Sequence, residues 1–171
     1  FWSHCFGGTN YEIPNKTTLT TDGHLLVTAY TYSSNGDVPG NQGWADGWIF
    51  EVGMSGALEW SKTFGSPSFD NFNAVLETNT NYLVVGSNAF GGGWIVTLDK
   101  QGNFQSEKIL GLGNDDAIFD IVATNQGDYI FSGTTRSNDT LHFSWDAWIA
   151  VLDTSLNIKS QRFFGGSDDE M

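Results

Sequence analysis

Residues 46–65 read Asp46-Gly47-Trp48-Ile49-Phe50-Glu51-Val52-Gly53-Met54-Ser55-Gly56-Ala57-Leu58-Glu59-Trp60-Ser61-Lys62-Thr63-Phe64-Gly65. A Trp-Ile run opens this stretch, the turn Met54-Ser55-Gly56 interrupts it, and a second run through Leu58-Glu59-Trp60 ends on a Phe-Gly joint. The order returns as Trp94-Ile95, Lys100-Gln101-Gly102, Phe104-Gln105-Ser106 and Leu110-Gly111. It returns again as Trp148-Ile149, Thr154-Ser155-Leu156, Ile158-Lys159-Ser160 and Phe164-Gly165. Upstream of each Trp-Ile pair stands another apolar run, Leu25-Leu26-Val27, Leu83-Val84-Val85 or Tyr129-Ile130-Phe131. With Phe6-Gly7-Gly8 at the front, the joint glycines 7, 65, 111 and 165 are spaced by 58, 46 and 54 residues. Such self-similarity marks a stacked repeat, in which each unit buries its apolar faces only against its neighbours.

Each interval holds four short runs rich in β-branched and aromatic residues, separated by Gly, Asn or Asp; in the middle copy they span 73–78, 82–87, 94–99 and 103–110. No segment requires a helix. Four strands in about 45–55 residues make a propeller blade, a twisted antiparallel sheet stacked on its neighbours. The expected fold is therefore all-β, a β-propeller segment of about three four-stranded antiparallel blades in an open arc. Residues 1–6 end a preceding blade, 7–64, 65–110 and 111–164 form the three blades, and 165–171 start a further one. Trp48, Trp94 and Trp148 are expected as blade core, filling the wedge between sheets. Three blades cannot close a ring, so the exposed faces need further chain, a second copy in a twofold six-bladed ring, or another subunit. Further chain is the preferred expectation, and a start on Phe1-Trp2 without an initiator Met points the same way.

The strings Ser55-Gly56-Ala57-Leu58-Glu59-Trp60, Lys62-Thr63-Phe64-Gly65, the TTDGHLLV of 20–27 and the DAWIAVLD of 146–153 resemble the SBBP-type β-propeller repeat of bacterial secreted and surface proteins. Gly36-Asp37-Val38-Pro39-Gly40-Asn41 followed by Asp46-Gly47-Trp48 resembles a variant common in large exported proteins of Bacteroidota, many of them type IX secretion cargo. The resemblance covers nearly the whole chain and implies closed rings of about seven blades. The second copy departs from the pattern: its loop between second and third strands is only about Asn88 to Gly93, and Asn79-Thr80-Asn81 stands where Asp22-Gly23 stands in the first. Ligand binding by the loops is expected to be weaker there.

Seven Lys and Arg against 20 Asp and Glu give a net charge of -13. A chain so acidic repels phosphate backbones and anionic lipid, which argues against nucleic-acid binding and membrane-surface attachment. No run approaches the ~18 apolar residues of a membrane helix, and no basic-then-apolar leader is present. With 39% hydrophobic and 15% aromatic residues the chain can still bury a sizeable core. The single Cys5 excludes a disulfide-stapled scaffold. Low Lys with abundant Gly, Asn, Thr and Ser fits an extracellular or surface-displayed bacterial protein.

Propeller topology sends residues 31–47, 88–93 and 134–146 to the same end as 7–12, 65–72 and 111–117, a loop face where function is expected. Trp44 and Trp145, with Asp37, Asn41 and Asp139, are candidates for binding a glycan or peptide. The competing reading folds the two tryptophans back over the blade edge as satellite core. Asn35, Asp37 and Asn41 offer amide, carboxylate and backbone oxygens for Ca²⁺, without the spacing of an EF-hand. Asp46 and Asp146 are expected to accept backbone donors at strand entry. A hydrolase reading, glycosidase-like with part of its carboxylates in further blades, would draw on Asp115-Asp116 or Asp168-Asp169, yet both pairs sit at equivalent joints and read as turn consensus. His4 and His24, placed on strands, and His142 in a loop lack zinc spacing, and Cys5 carries no sign of a low-pKa nucleophile. Asp139-Thr140-Leu141 resembles a Bacteroidota O-glycosylation site, while Asn15-Lys16-Thr17 and Asn138-Asp139-Thr140 fit the N-glycan pattern. The expected function is a non-enzymatic interaction platform for a protein or glycan, without a cofactor.

Overall fold

Runs rich in β-branched and aromatic residues, separated by glycine turns at fixed offsets, set the described residues into twelve strands. The computed structural model describes residues 2–111, 115–136 and 145–165. The strands are β1 (Glu12–Leu19), β2 (Leu25–Thr31), β3 (Asp46–Val52), β4 (Leu58–Phe64), β5 (Asn71–Glu77), β6 (Asn81–Ser87), β7 (Gly93–Asp99), β8 (Phe104–Leu110), β9 (Ala117–Ala123), β10 (Tyr129–Arg136), β11 (Trp145–Leu152) and β12 (Ile158–Phe164). They pair antiparallel in chain order as three four-stranded sheets, β1 to β4, β5 to β8 and β9 to β12, in an open, propeller-like arrangement without helices among the described residues. In the middle sheet β5 starts two residues before the expected 73, because it carries an extra, bulged residue at Asn73.

The third strands carry the core. β3 is buried along its whole length, while β12 is exposed along its own. Trp94 packs with Leu26, Ile49 and Phe72 against the first sheet, and Trp148 with Ile95, Leu110 and Ile118 against the second. Trp48 packs with Phe50 and Phe6. The three tryptophans are thus interblade core, each facing backward along the chain. The neighbouring isoleucine faces forward: Ile49 and Ile95 are 0% exposed, Ile149 43%. With Phe164 and Val122, Ile149 leaves an apolar face uncovered on the third sheet among the described residues.

First strands latch one sheet to the next through a repeated β-bulge. The register skips one residue between Pro14 and Lys16 and between Phe72 and Ala74, and the freed amides of Asn15 and Asn73 donate to Phe72 O at 2.7 Å and Ile118 O at 2.8 Å. A bulge re-aims a side chain in this way. The amide of Asn15, head of one N-glycan triplet, is therefore engaged between blades. In the third sheet the skipped residue is Phe119, half exposed. Lys16 of β1 reaches Asp120 of β9 at 2.5 Å, tying the first blade to the third.

Residues 2–6 repeat what β4 does one blade later. The Trp2 ring lies against Gly56 in the turn before β4, as the Trp60 ring lies against Gly102 in the turn before β8, and Phe6 stacks toward Phe50 at 5.5 Å. At the next interface the sizes are exchanged: Ser106 holds the place of Trp60, and Leu156, at φ 62°, holds that of the turn glycine and packs on the core. Both border a small cavity of about 330 Å³. Gly102 has φ +75° and a Cβ there would lie 2.6 Å from the Trp60 ring, whereas Gly127, at φ +89°, has nothing within 4 Å. Urea unfolding should therefore show Gly127→Ala losing roughly 1–2 kcal/mol from backbone strain alone, and Gly102→Ala losing more. Equal losses would show that the Trp60 contact yields freely.

Candidate functional site

The loop face is organised by carboxylates placed five residues after each joint glycine: Glu12, Asp70 and Asp116. Asp70, 1% exposed, accepts from Ser66 N and Oγ at 2.7 and 2.8 Å and from Ala89 N at 2.9 Å, so it binds the joint to the loop after β6. Asp116 accepts from Arg136 N at 3.2 Å, and Glu12 from Thr31 Oγ1 at 3.1 Å, the corresponding tie in each blade. Asp46, at the entry of β3, accepts from Gln42 N at 2.7 Å, as expected of a strand-entry Asp. Its other oxygen is buried over Gly65 without a hydrogen bond, and Asp146 likewise leaves a buried Oδ1 over Gly165. Burial pushes the Asp46 carboxyl above its ordinary range against the pull of the Gln42 hydrogen bond, and nearby Asp70 adds to the rise.

Asn35, Asp37 and Asn41 engage three separate parts of the backbone. Asn35 Oδ1 accepts from Thr9 N at 3.0 Å, Asp37 Oδ2 from Gly7 N at 3.0 Å, and Asn41 Nδ2 donates to Thr31 O at 3.0 Å. They staple the long loop after β2 to residues 7–9 and to the end of β2. Among the described residues no group of three or more His, Cys, Asp or Glu is placed to hold a metal.

Trp44 does not fold back as satellite core. It is 67% exposed and meets Tyr32 and Phe69 edge-on at 6.1 and 5.9 Å; Tyr30 in turn meets Tyr32 and Phe69 at 6.0 and 5.3 Å. Four aromatic rings from three chain segments thus form one surface. Beside it opens a cleft of about 660 Å³ above the second blade, whose walls include Phe69, Phe119 and Trp145 and whose floor includes Ser87, Asn88, Ala89 and Gly91. Trp44 belongs to the ring cluster that includes Phe69, and Trp145, placed by the structure at the start of β11 and not in a loop, lines the cleft that Phe69 also lines. The short loop of the second copy, expected to make the weakest site, is what opens the cleft: Ala89 stands where the first blade has Tyr32 and the third Arg136.

Tyr30, Tyr32, Phe69, Asn88 and Phe119 escaped the sequence reading. Their signal lay in aligning the copies residue by residue from the Trp pairings, Ala29–Trp48, Gly86–Trp94 and Gly133–Trp148, which sets Tyr30, Ser87 and Thr134 in register. Asp115 and Asp116 bond different parts of one residue: Asp115 pairs with the Arg136 guanidinium at 2.9 Å, while Asp116 is buried against the backbone of the same residue. His4 and His24 lie off the strands, His4 bonded to Gly56 O at 2.8 Å and His24 3.5 Å from buried Glu51. That Glu51 accepts from Tyr82 Oη at 3.2 Å, and burial, then Glu51, push the Tyr82 hydroxyl above the ordinary tyrosine range. Cys5 is exposed and free. Asp139, His142, Asn138 with its glycan triplets, and Asp168-Asp169 lie outside the described residues. No protein-family model and no curated protein matches this chain.

Proposed function

We propose that this chain is a non-enzymatic interaction module, a propeller segment of an exported or surface-displayed bacterial protein whose loop face engages a protein or a glycan. The observation that carries the reading is the ring cluster in which Trp44, two-thirds exposed, meets partly buried Tyr32 and Phe69, with Tyr30 of β2 behind them. Aromatic rings supply large contact area at little conformational cost, and they concentrate at binding surfaces for that reason. The loop-face carboxylates Asp70, Asp115 and Asp116 are committed to structural bonds, which favours binding over acid–base catalysis. The resemblance to SBBP-type repeats and the acidic, Lys-poor composition support export, including as type IX cargo.

The uncovered Ile149 face takes a further blade in this reading. Ile49 and Ile95 occupy the same place in the other sheets and are sealed by the sheet that follows. A second copy fits less well, since residues 2–6 already hold the position on its first blade that β12 would need. On arrays of immobilised glycans and bacterial surface proteins the chain should bind, and Trp44→Ala should weaken capture of a surface protein at least about tenfold with an unchanged melting temperature. Silence on both arrays would refute the module reading, and full protein capture by the variant would remove Trp44 from the surface that engages the protein.

A further inference from the structure

The cleft above the second blade has features that a general interaction face does not need. Its floor carries Ala89 where the other blades have Tyr32 and Arg136, Ser87 where the first has Tyr30, and Gly91 where the third has Trp145. The resulting space of about 660 Å³ is of the size that holds small ligands, roughly 300–1,000 Å³. Phe69 and Trp145 border it, and Phe119, released from the interblade latch by its bulge, adds a half-exposed ring.

Polar groups complete the cleft. Asn88 is 9% exposed and uses Oδ1 to accept from Gly92 N at 3.4 Å, while its Nδ2 makes no hydrogen bond among the described residues. That amide is open to an acceptor that a ligand brings. Thr134 borders the same space, and its hydroxyl makes no hydrogen bond among the described residues. The charges at the rim are spent: Asp115 is paired with Arg136, and Asp70 and Asp116 accept from backbone amides. An anionic ligand would find no free cation among these groups and would meet a chain of net charge -13. A cationic ligand would find its carboxylates already engaged.

We infer that this cleft binds a neutral oligosaccharide. The apolar face of a pyranose ring stacks on Phe119 or Trp145, and its hydroxyls take the Asn88 amide and the Thr134 hydroxyl. The inference rests on the interaction-module reading and names the site and ligand class within it.

Titration calorimetry of the full 171-residue chain with neutral hexose and N-acetylhexosamine oligomers, and with uronate oligomers as acidic controls, tests it. The neutral oligomers should bind and the uronates should not. Asn88→Ala should weaken binding about tenfold. Ala89→Tyr places the first blade's residue at an exposed position, so it should leave the fold intact, fill the cleft and abolish sugar binding. Trp44→Ala, outside the cleft, should leave sugar binding unchanged. The assignment is overturned if no neutral oligomer binds, or if Ala89→Tyr with an unchanged melting temperature binds as well as the natural chain. Capture of a protein or of acidic glycans through Trp44 without neutral-sugar binding would likewise overturn it, while leaving the module reading standing.

Discussion

Replacing Trp94 with alanine should cost about 3–5 kcal/mol of stability, the range for emptying a large buried aromatic site. Trp94 lies 4% exposed between the first two sheets, stacked on Phe72 at 5.0 Å, with Leu26, Ile49 and Val84 in the same cluster. Sheets cannot collapse into the void, because the Asn15 amide on Phe72 O and the Thr28 hydroxyl on Asn73 O, at 2.7 and 3.1 Å, hold the two blades at fixed spacing. Truncation also strips the indole N–H from Glu107, to which it donates at 2.9 Å. Denaturant unfolding of Trp94→Ala beside Trp44→Ala separates the two kinds of tryptophan. The first should unfold at much lower denaturant, while the second, two-thirds exposed, should shift stability by less than about 1 kcal/mol. Comparable losses would show that Trp44 is load-sharing core and would remove it from the binding surface.

A second large loss is expected for Asp70→Ala. Its carboxylate accepts three hydrogen bonds, two from Ser66 and one from Ala89 N, in a buried position. Hydrogen bonds to a charged group contribute roughly 1.5–3 kcal/mol each, and a buried donor left without a partner costs about 1–3 kcal/mol. Some of the loss returns because removing Asp70 also removes a like charge that raises the Asp46 carboxyl. A net destabilisation of about 2–4 kcal/mol is expected, with Asp70→Asn intermediate, since its oxygen keeps part of the acceptor set. Hydrogen exchange should show the amides of Ser66 and Ala89 losing protection first. A shift below about 0.5 kcal/mol would mean that water replaces the carboxylate and that the joints are less tightly tied to the loops than the distances imply.

How much was legible in the sequence differs between fold and site. The four-strand blade could be read because its signals are local: the Trp-Ile pair, the Gly56 and Gly102 turns and the Phe-Gly joints recur in one order. Strand limits in the middle sheet fell within two residues, and the miss at β5 came from the Asn73 bulge, which leaves no mark in an alternation pattern. The loop face was anticipated as a gathering of segments, because hairpin topology alone sends those loops to one end. Which of its residues stay free was not. Asn35, Asp37 and Asn41 look like ligands in a one-dimensional string, yet each bonds a backbone group belonging to another stretch of chain. Asp116 looks like half of a carboxylate pair, but the two neighbours bond different parts of Arg136, Asp116 its backbone N–H and Asp115 its guanidinium.

The sequence by itself therefore determined the repeat, the all-β blade, the tryptophan core between blades and the end of the molecule at which the loops meet. Only the tertiary structure decided that Trp44, Tyr32, Tyr30 and Phe69 share one surface, that the short loop of the second blade opens a cleft, and that Asn88 reaches it with an uncommitted amide. The physical reason is that strand identity follows from patterns within a few residues, whereas a cleft is a difference between neighbouring blades. Its shape depends on side chains from the second and third sheets and the joint before β5, brought together by interblade packing, and that packing is set by contacts 45 to 104 residues apart, as in Thr28 with Asn73 and Lys16 with Asp120.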